Sequence, residues 1–283
     1  MTIQRIGVIG AGLMGNGIAQ VSAQAGFSVS MIDVSGDALR TGLATITANL
    51  DRLAKKGKLS DTECMATLAR IDATADYKAL QDADLIIEAA TENPSLKMQI
   101  LRQIESIVRR DAVIATNTSS ISITQFAAVL DESVRFIGMH FFNPVPVMAL
   151  VELIRGVQTS DATHVAASSF AQRIGKTPIT VKNSPGFTVN RILVPMINEA
   201  VFVLQEGLAS AGDIDAGMTL GCNQPIGPLA LADLIGLDTL LAVMQVFYDG
   251  FNDPKYRPAP LLKELVAAGR LGRKSGRGFY VYC

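Results

Sequence analysis

The first half of the chain alternates short apolar runs with longer amphipathic stretches. Ile3–Ile9, Phe27–Asp33, Asp84–Glu88 and Ala112–Thr116 read as strands. Helical patterns cover Leu13–Ala25, about Gly36 to Lys56, about Asp61 to Arg70, and Pro94–Arg109. Asp84–Glu88 is almost fully apolar, as suits a strand covered on both faces of a parallel sheet. Pro94 stands at a helix start, where its missing N–H does no harm. This rhythm predicts an α/β fold, a Rossmann-type, doubly wound and mostly parallel sheet.

A further strand, Val134–His140, leads into a different pattern. The loop Asn143–Val147 joins two β-rich runs, Arg135–Phe142 and Met148–Ile154. A helix (Asp161–Ile174) and a last strand (Ile179–Lys182) follow, and then Asn183-Ser-Pro-Gly186 interrupts the chain. Beyond it helical periodicity runs to about Gly269 with almost no strand signal. The expected division is a domain of residues 1–185, with a helical arm near 36–70, and an all-α domain of residues 186–283.

Composition supports two cored domains: 283 residues, 49% hydrophobic and 18% charged. A net charge of -1 provides no global field for nucleic acid or an anionic membrane, so an anionic ligand must be met locally. Cys64, Cys222 and Cys283 are scattered without a CxxC, which argues against disulfides or a metal site and for a reducing, cytoplasmic setting. A strand starting at about Ile3 leaves no room for a leader peptide. The most apolar long stretch, Pro225–Phe247, contains Asp233, Asp238, Pro228 and two glycines, and reads as buried helices rather than a membrane span.

Gly10, Gly12 and Gly15, with Leu13 and Met14 between them, form a GxGxxG motif between a strand and a helix. Gly10 permits the tight turn, Gly12 lets backbone approach a pyrophosphate, and Gly15 lets the helix pack on the strand. The helix N-terminus then offers free N–H groups to the phosphates. Asp33 ends the second strand about 20 residues on. A carboxylate there accepts from both ribose hydroxyls and repels a 2′-phosphate, favouring NAD over NADP.

The chain has two histidines. His164, early in a helix, reads as a surface residue. His140 ends an apolar strand, where doubly wound folds place ligands. Glu152 lies in an apolar run, where a carboxylate requires a partner. A hairpin across the Asn143–Val147 loop would set the two one diagonal apart on one face. Glu152 would then fix the imidazole tautomer and stabilise the imidazolium, and His140 would be the base of an alcohol dehydrogenation with NAD as hydride acceptor. A structural buried ion pair is the alternative. Ser119 and Asn190 are candidates to hold a substrate oxygen, although each also reads as an ordinary helix-associated residue.

Several words occur in order: Val8–Gly15, Asn117-Thr-Ser-Ser120, His140-Phe-Phe-Asn-Pro144, Val151-Glu-Leu153, Pro185-Gly-Phe-Thr-Val-Asn-Arg191, Pro225-Ile-Gly-Pro228, Asp233–Asp238 and Gly272–Tyr280. Over essentially its whole length the chain resembles the 3-hydroxyacyl-CoA dehydrogenase family, most of all its stand-alone bacterial members. The HFFNP and PGFxxNR blocks carry this resemblance specifically. It implies reversible, NAD-dependent oxidation of a short 3-hydroxyacyl-CoA such as (3S)-3-hydroxybutyryl-CoA. It implies His140 as base with Glu152 as its partner, and Ser119 and Asn190 near the substrate 3-oxygen and thioester. It implies Glu92, Lys97, Asn117, Ser119, Asn143 and Lys274 around NAD, with Asp33 on the adenosine ribose. The family's CoA-contacting arm matches Leu50–Lys58, where Arg52, Lys55, Lys56 and Lys58 would meet CoA phosphates. A plain solvated helix face remains open for each of these. The family is typically dimeric through its helical domain, which the apolar residues 186–247 would suit as well as an ordinary core would. No hydratase or thiolase segment is expected. Two rivals stand beside this reading: a dehydrogenase of a free hydroxy or sugar acid, and a non-catalytic NAD-binding structural protein.

Overall fold

The structure, a computed structural model, describes residues 3–282; Cys283 lies outside them. The chain forms two compact units, one ending at Asn183 and one starting at Ser184.

Among the described residues the first unit is built on eight strands: β1 (Arg5–Ile9), β2 (Ser28–Ile32), β3 (Ile71–Thr74), β4 (Leu85–Glu88), β5 (Val113–Thr116), β6 (Phe136–Phe141), β7 (Leu150–Arg155) and β8 (Thr177–Lys182). Its helices are α1 (Leu13–Gln24), α2 (Gly36–Lys55), α3 (Asp61–Leu68), α4 (Pro94–Ile107), α5 (Ile123–Ala127) and α6 (Asp161–Arg173). The strands form one sheet in the order β3-β2-β1-β4-β5-β6-β7-β8. All neighbours are parallel except β6 and β7, which the short loop between them forces antiparallel. Val8, Ile87, Ile114, Ile137 and Leu153 have no exposed surface, so the sheet centre is covered on both faces. The strand order reverses at β1, which is flanked by β2 and β4. The crevice at the carboxyl ends of such strands is where doubly wound sheets bind ligands.

Three details differ from the sequence reading. Ile71–Thr74 is an edge strand that periodicity did not show, because four residues with only Ile71 and Ala73 turned to the core are too short a run to display a period. Ser133–Arg135 forms a 3-10 turn, so the strand expected from Val134 starts at Phe136. The last strand begins earlier than expected, at Thr177. It includes Pro178, which is tolerated because β8 is the other sheet edge.

The second unit contains α7 (Val189–Gln205), α8 (Ala211–Ala216), α9 (Pro228–Ile235), α10 (Leu237–Phe251) and α11 (Pro260–Ala267). Their inner faces bring Ile197, Val201, Leu229, Ala232, Leu240, Met244 and Phe247 into one core. The guanidinium of Arg191 stacks on Phe251 at 3.6 Å and on Tyr256 at 4.4 Å. Gly236, at φ 101°, separates α9 from α10 in a conformation that other residues resist. Among the described residues no single helix is long and apolar enough to cross a membrane, and α9 and α10 are bent by 98° to each other.

Two buried carboxylates tie this unit together. Asp215 accepts from the backbone N–H of Leu229 and Ala230 at the start of α9. Asp233 accepts from the N–H of Phe279 and Tyr280 and from the Tyr282 hydroxyl. The Tyr280 hydroxyl donates to Asp215 at 2.7 Å; burial, then the Asp215 hydrogen bond, hold its pKa well above the usual phenol value.

Candidate active site

The site of the first unit is assembled from turns at the carboxyl ends of its strands. Gly10 follows β1 at φ 100°, and its N–H donates to the Ile32 carbonyl at 2.6 Å. A Cβ there would lie 2.6 Å from the Ala89 oxygen, and one at Gly15 would strike the Gly10 carbonyl. A Cβ at Gly12 would meet no heavy atom within 4 Å, so the space before the helix is open. Gly12 caps α1 without a side chain, and Leu13, Met14 and Gly15 form its first turn. Their N–H groups lie beyond the reach of helical acceptors and define an anion-binding end. The chain's own atoms therefore fit a pyrophosphate.

Asp33 stands immediately beyond β2. One of its oxygens accepts from the Ala11 N–H and the other from the Ser35 N–H, each at 2.9 Å. The carboxylate is thus aimed beside the glycine turn, and each oxygen retains a lone pair for a ribose hydroxyl.

His140 and Glu152 are joined directly. The register pairs them straight across β6 and β7, not diagonally as the sequence suggested. Directly opposed residues bring their Cβ atoms closest, and Nδ1 of His140 lies 2.6 Å from Oε2 of Glu152. The histidine is 6% exposed and the glutamate 0%. An ionised carboxylate only accepts, so Nδ1 carries the proton and the basic lone pair falls on Nε2. The Phe142 ring lies 4.4 Å from the imidazole, centroid to centroid. The Phe141 N–H is received by Oδ1 of Asn117 at 3.0 Å.

The loop after β5 carries Ser119, which is half-buried. Glu92 holds this loop: Thr118 donates to its carboxylate at 2.8 Å, and the Ser119 N–H donates as well. Burial, the largest influence, raises the Glu92 pKa, against the lowering effect of Lys97 and these bonds. Asn143 is exposed in the hairpin loop.

Lys97 is buried on α4, its side chain 0% exposed. It donates to Glu88 at 2.6 Å, to the Thr116 hydroxyl at 3.1 Å and to the Asn117 carbonyl at 3.0 Å. The signal was present in the spacing of Lys97 with Ile100, Leu101 and Ile104 on the buried face of α4. Glu88 was missed altogether, although it closes an otherwise apolar strand.

Lys55 and Lys56 are exposed where α2 ends, as are Arg52 and Lys58. Basic residues there also suit the negative end of the helix dipole. Asn190 and Lys274 belong to the second unit. Asn190 is half-buried in the first turn of α7, and Lys274 donates to Asp238 at 2.7 Å. Among the described residues no group of three or more His, Cys, Asp and Glu could hold a metal ion.

A glycine turn shaped for a pyrophosphate, on a doubly wound sheet beside a carboxylate-bound histidine, defines a dinucleotide-dependent dehydrogenase. The chain belongs to the 3-hydroxyacyl-CoA dehydrogenase family: residues 5–184 match its NAD binding domain and residues 186–282 its C-terminal domain. It is 51% identical to a 3-hydroxybutyryl-CoA dehydrogenase of Bradyrhizobium diazoefficiens, over 99% of this chain and 96% of the relative. It is 49% identical to a probable 3-hydroxybutyryl-CoA dehydrogenase of Bacillus subtilis, over 100% and 98% respectively. The crystal structure of the (S)-3-hydroxybutyryl-CoA dehydrogenase PaaH1 from Ralstonia eutropha matches with a TM-score of 0.98 and 62% identity, covering 100% of both chains.

Proposed function

We propose that the protein interconverts (3S)-3-hydroxybutyryl-CoA, or a close short-chain homologue, and the corresponding 3-oxoacyl-CoA. The observation that carries this reading is the buried His140–Glu152 pair in a member of this family. NAD supplies the hydride acceptor in the oxidative direction. Nε2 of His140 takes the proton of the 3-hydroxyl as the hydride leaves C3, and returns it in reduction. Glu152 receives Nδ1–H and lowers the energy of the imidazolium that forms. Ser119 and Asn190 donate to the substrate oxygens. The first turn of α1 holds the cofactor pyrophosphate, Asp33 holds its ribose, and Glu92, Lys97, Asn117, Ser119, Asn143 and Lys274 complete its surroundings. Lys55 and Lys56 meet the CoA phosphates.

The protein acts as a homodimer through its helical unit. In support, Met196, Ala200, Val203, Ile214, Met218 and Pro228 line an open groove of about 470 Å³ on that unit. Leu220 and Leu208 lie 87% and 76% exposed. The thiols of Cys64 and Cys222 are free, as suits a cytoplasmic enzyme.

The test follows NADH absorbance on mixing with acetoacetyl-CoA, with free acetoacetate and NADPH run in parallel. Rapid consumption with only NADH and the thioester is expected. Activity on the free acid alone would transfer the assignment to a hydroxy-acid dehydrogenase.

A further inference from the structure

Lysine is seldom buried, yet Lys176 has only 8% of its surface exposed. Its backbone is pinned on both sides. α6 is followed by a left-handed turn at Gly175, φ 75°, and the Lys176 N–H closes that turn on the Ala171 carbonyl at 2.9 Å. The next N–H, of Thr177, donates to the Ala149 carbonyl at 2.7 Å where β8 begins. From this fixed base the side chain reaches the loop between β6 and β7. Its Nζ donates to the carbonyls of Val145 at 2.5 Å and Met148 at 2.7 Å. Burial lowers the pKa of the ammonium, so its charged form depends on these acceptors.

The same loop is held from two other directions. The N–H groups of Val147 and Met148 converge on the Pro144 carbonyl, at 2.9 and 3.0 Å. Val145 is 2% exposed and belongs to the core of the first unit. A Cβ at Gly17, in the second turn of α1, would lie 2.8 Å from the Val145 Cβ and 3.5 Å from Cδ of Pro146. A bare backbone lets the helix and the loop approach this closely. The loop is therefore seated on the helix whose first turn faces the pyrophosphate. It also carries Asn143, directly after the Phe142 ring that lies against His140.

We infer that Lys176 is a positioning residue: its ammonium gathers two carbonyls of the loop between β6 and β7 and holds that loop on α1, so that Asn143 stands at the nicotinamide end of a dinucleotide whose phosphates lie at the head of the same helix. The lysine acts through the loop. The inference deepens the reading of Asn143 as a cofactor residue and rests on it.

ADP-ribose, which has the pyrophosphate and adenosine but no nicotinamide, separates this role from a general one. Lys176→Met keeps the apolar stem and removes the donor. Its NADH dissociation constant should rise about 5- to 10-fold and its kcat with acetoacetyl-CoA fall about tenfold, while the ADP-ribose constant stays within about twofold. Lys176→Arg retains donors for both carbonyls and should bring NADH affinity back to within about twofold of the parent. Gly17→Ala leaves the lysine in place and pushes the loop off the helix from the other side, so it should show the same split. Equal losses of NADH and ADP-ribose affinity in Lys176→Met overturn the inference, because the lysine would then act on α1 as a whole or on the phosphates themselves. Parental NADH binding in Lys176→Met overturns it too. If the methionine variant does not fold, parental NADH binding in Gly17→Ala does so instead, since the seat through which Lys176 works would carry no weight. Asn143→Ala is titrated alongside. Undiminished NADH affinity there withdraws Asn143 from the cofactor site, and so registers separately as failure of the underlying reading.

Discussion

Among the described residues each unit buries two carboxylates, and they keep different company. In the first, Glu152 faces an imidazole and Glu88 faces an ammonium, both with no exposed surface. In the second, Asp215 and Asp233 accept mainly from backbone N–H groups and tyrosine hydroxyls. A backbone donor cannot change its protonation state, so a carboxylate saturated by such donors fastens one segment to another. A carboxylate set against a titratable side chain controls where a proton resides. Burial alone therefore does not mark a working acid. The chemistry of its partner does.

The contrast predicts that losing the imidazole harms turnover and not folding. His140→Asn should lower kcat by about 10³- to 10⁴-fold, while NADH binding and the unfolding midpoint stay near parental values. Undiminished turnover in a stopped-flow assay would remove His140 from the chemistry. Asp33 sharpens the comparison, because it faces backbone donors and still has lone pairs for a ligand. Asp33→Ala should weaken NADH binding about 10- to 100-fold and narrow the gap to NADPH. An intact preference in fluorescence titrations would place cofactor selection elsewhere.

Asp233→Asn tests the fastening role from the other side. One of its accepting oxygens becomes a donor facing N–H groups, so stability should fall by about 1–3 kcal/mol with kcat retained in the folded fraction. Urea titrations beside activity assays decide this. A variant that unfolds like the parent would refute the staple.

The smallest effect concerns Asp238, whose carboxyl lies below its ordinary value of 3.8, chiefly through the Lys274 hydrogen bond. A depressed carboxyl pKa contributes stability above the unfolded value, lost as pH falls through the folded one. The pair is substantially exposed, so its worth is at most about 1 kcal/mol. Asp238→Asn should thus unfold slightly below the parent at pH 7, and the gap should close below about pH 3.8. A gap that persists in acid would show that the charge is not its cause.

The fold was legible in the sequence wherever patterning and burial agree, as in β1, α1 and the strand that ends in Glu88. It was not legible at Ile71–Thr74, where an edge strand leaves polar residues half-exposed. The glycine turn, Asp33, His140 and Glu152 could be read because each residue type was unusual in its setting. The direct opposition of His140 and Glu152 could not, since one-face parity allows several registers. The burial of Lys97 could not be read for a general reason: lysines are rarely fully buried, so an isolated one reads as surface until its partners are visible. The fastening roles of Asp215 and Asp233 could not be read because backbone donors leave no trace in side-chain patterns.

The hairpin formed by β6 and β7 also bears on how the site comes into being. Histidine and glutamate are separated by 12 residues along the chain, whereas the bond that seats β1 beside β4, from Gln4 to Asp84, spans 80. Closing the shorter loop sacrifices less chain entropy, and hairpins form within microseconds. The proton-handling half of the site is thus a local product of a single turn. The cofactor half also draws on distant segments, since the Ala89 N–H beside the glycine turn donates to the Ile9 carbonyl.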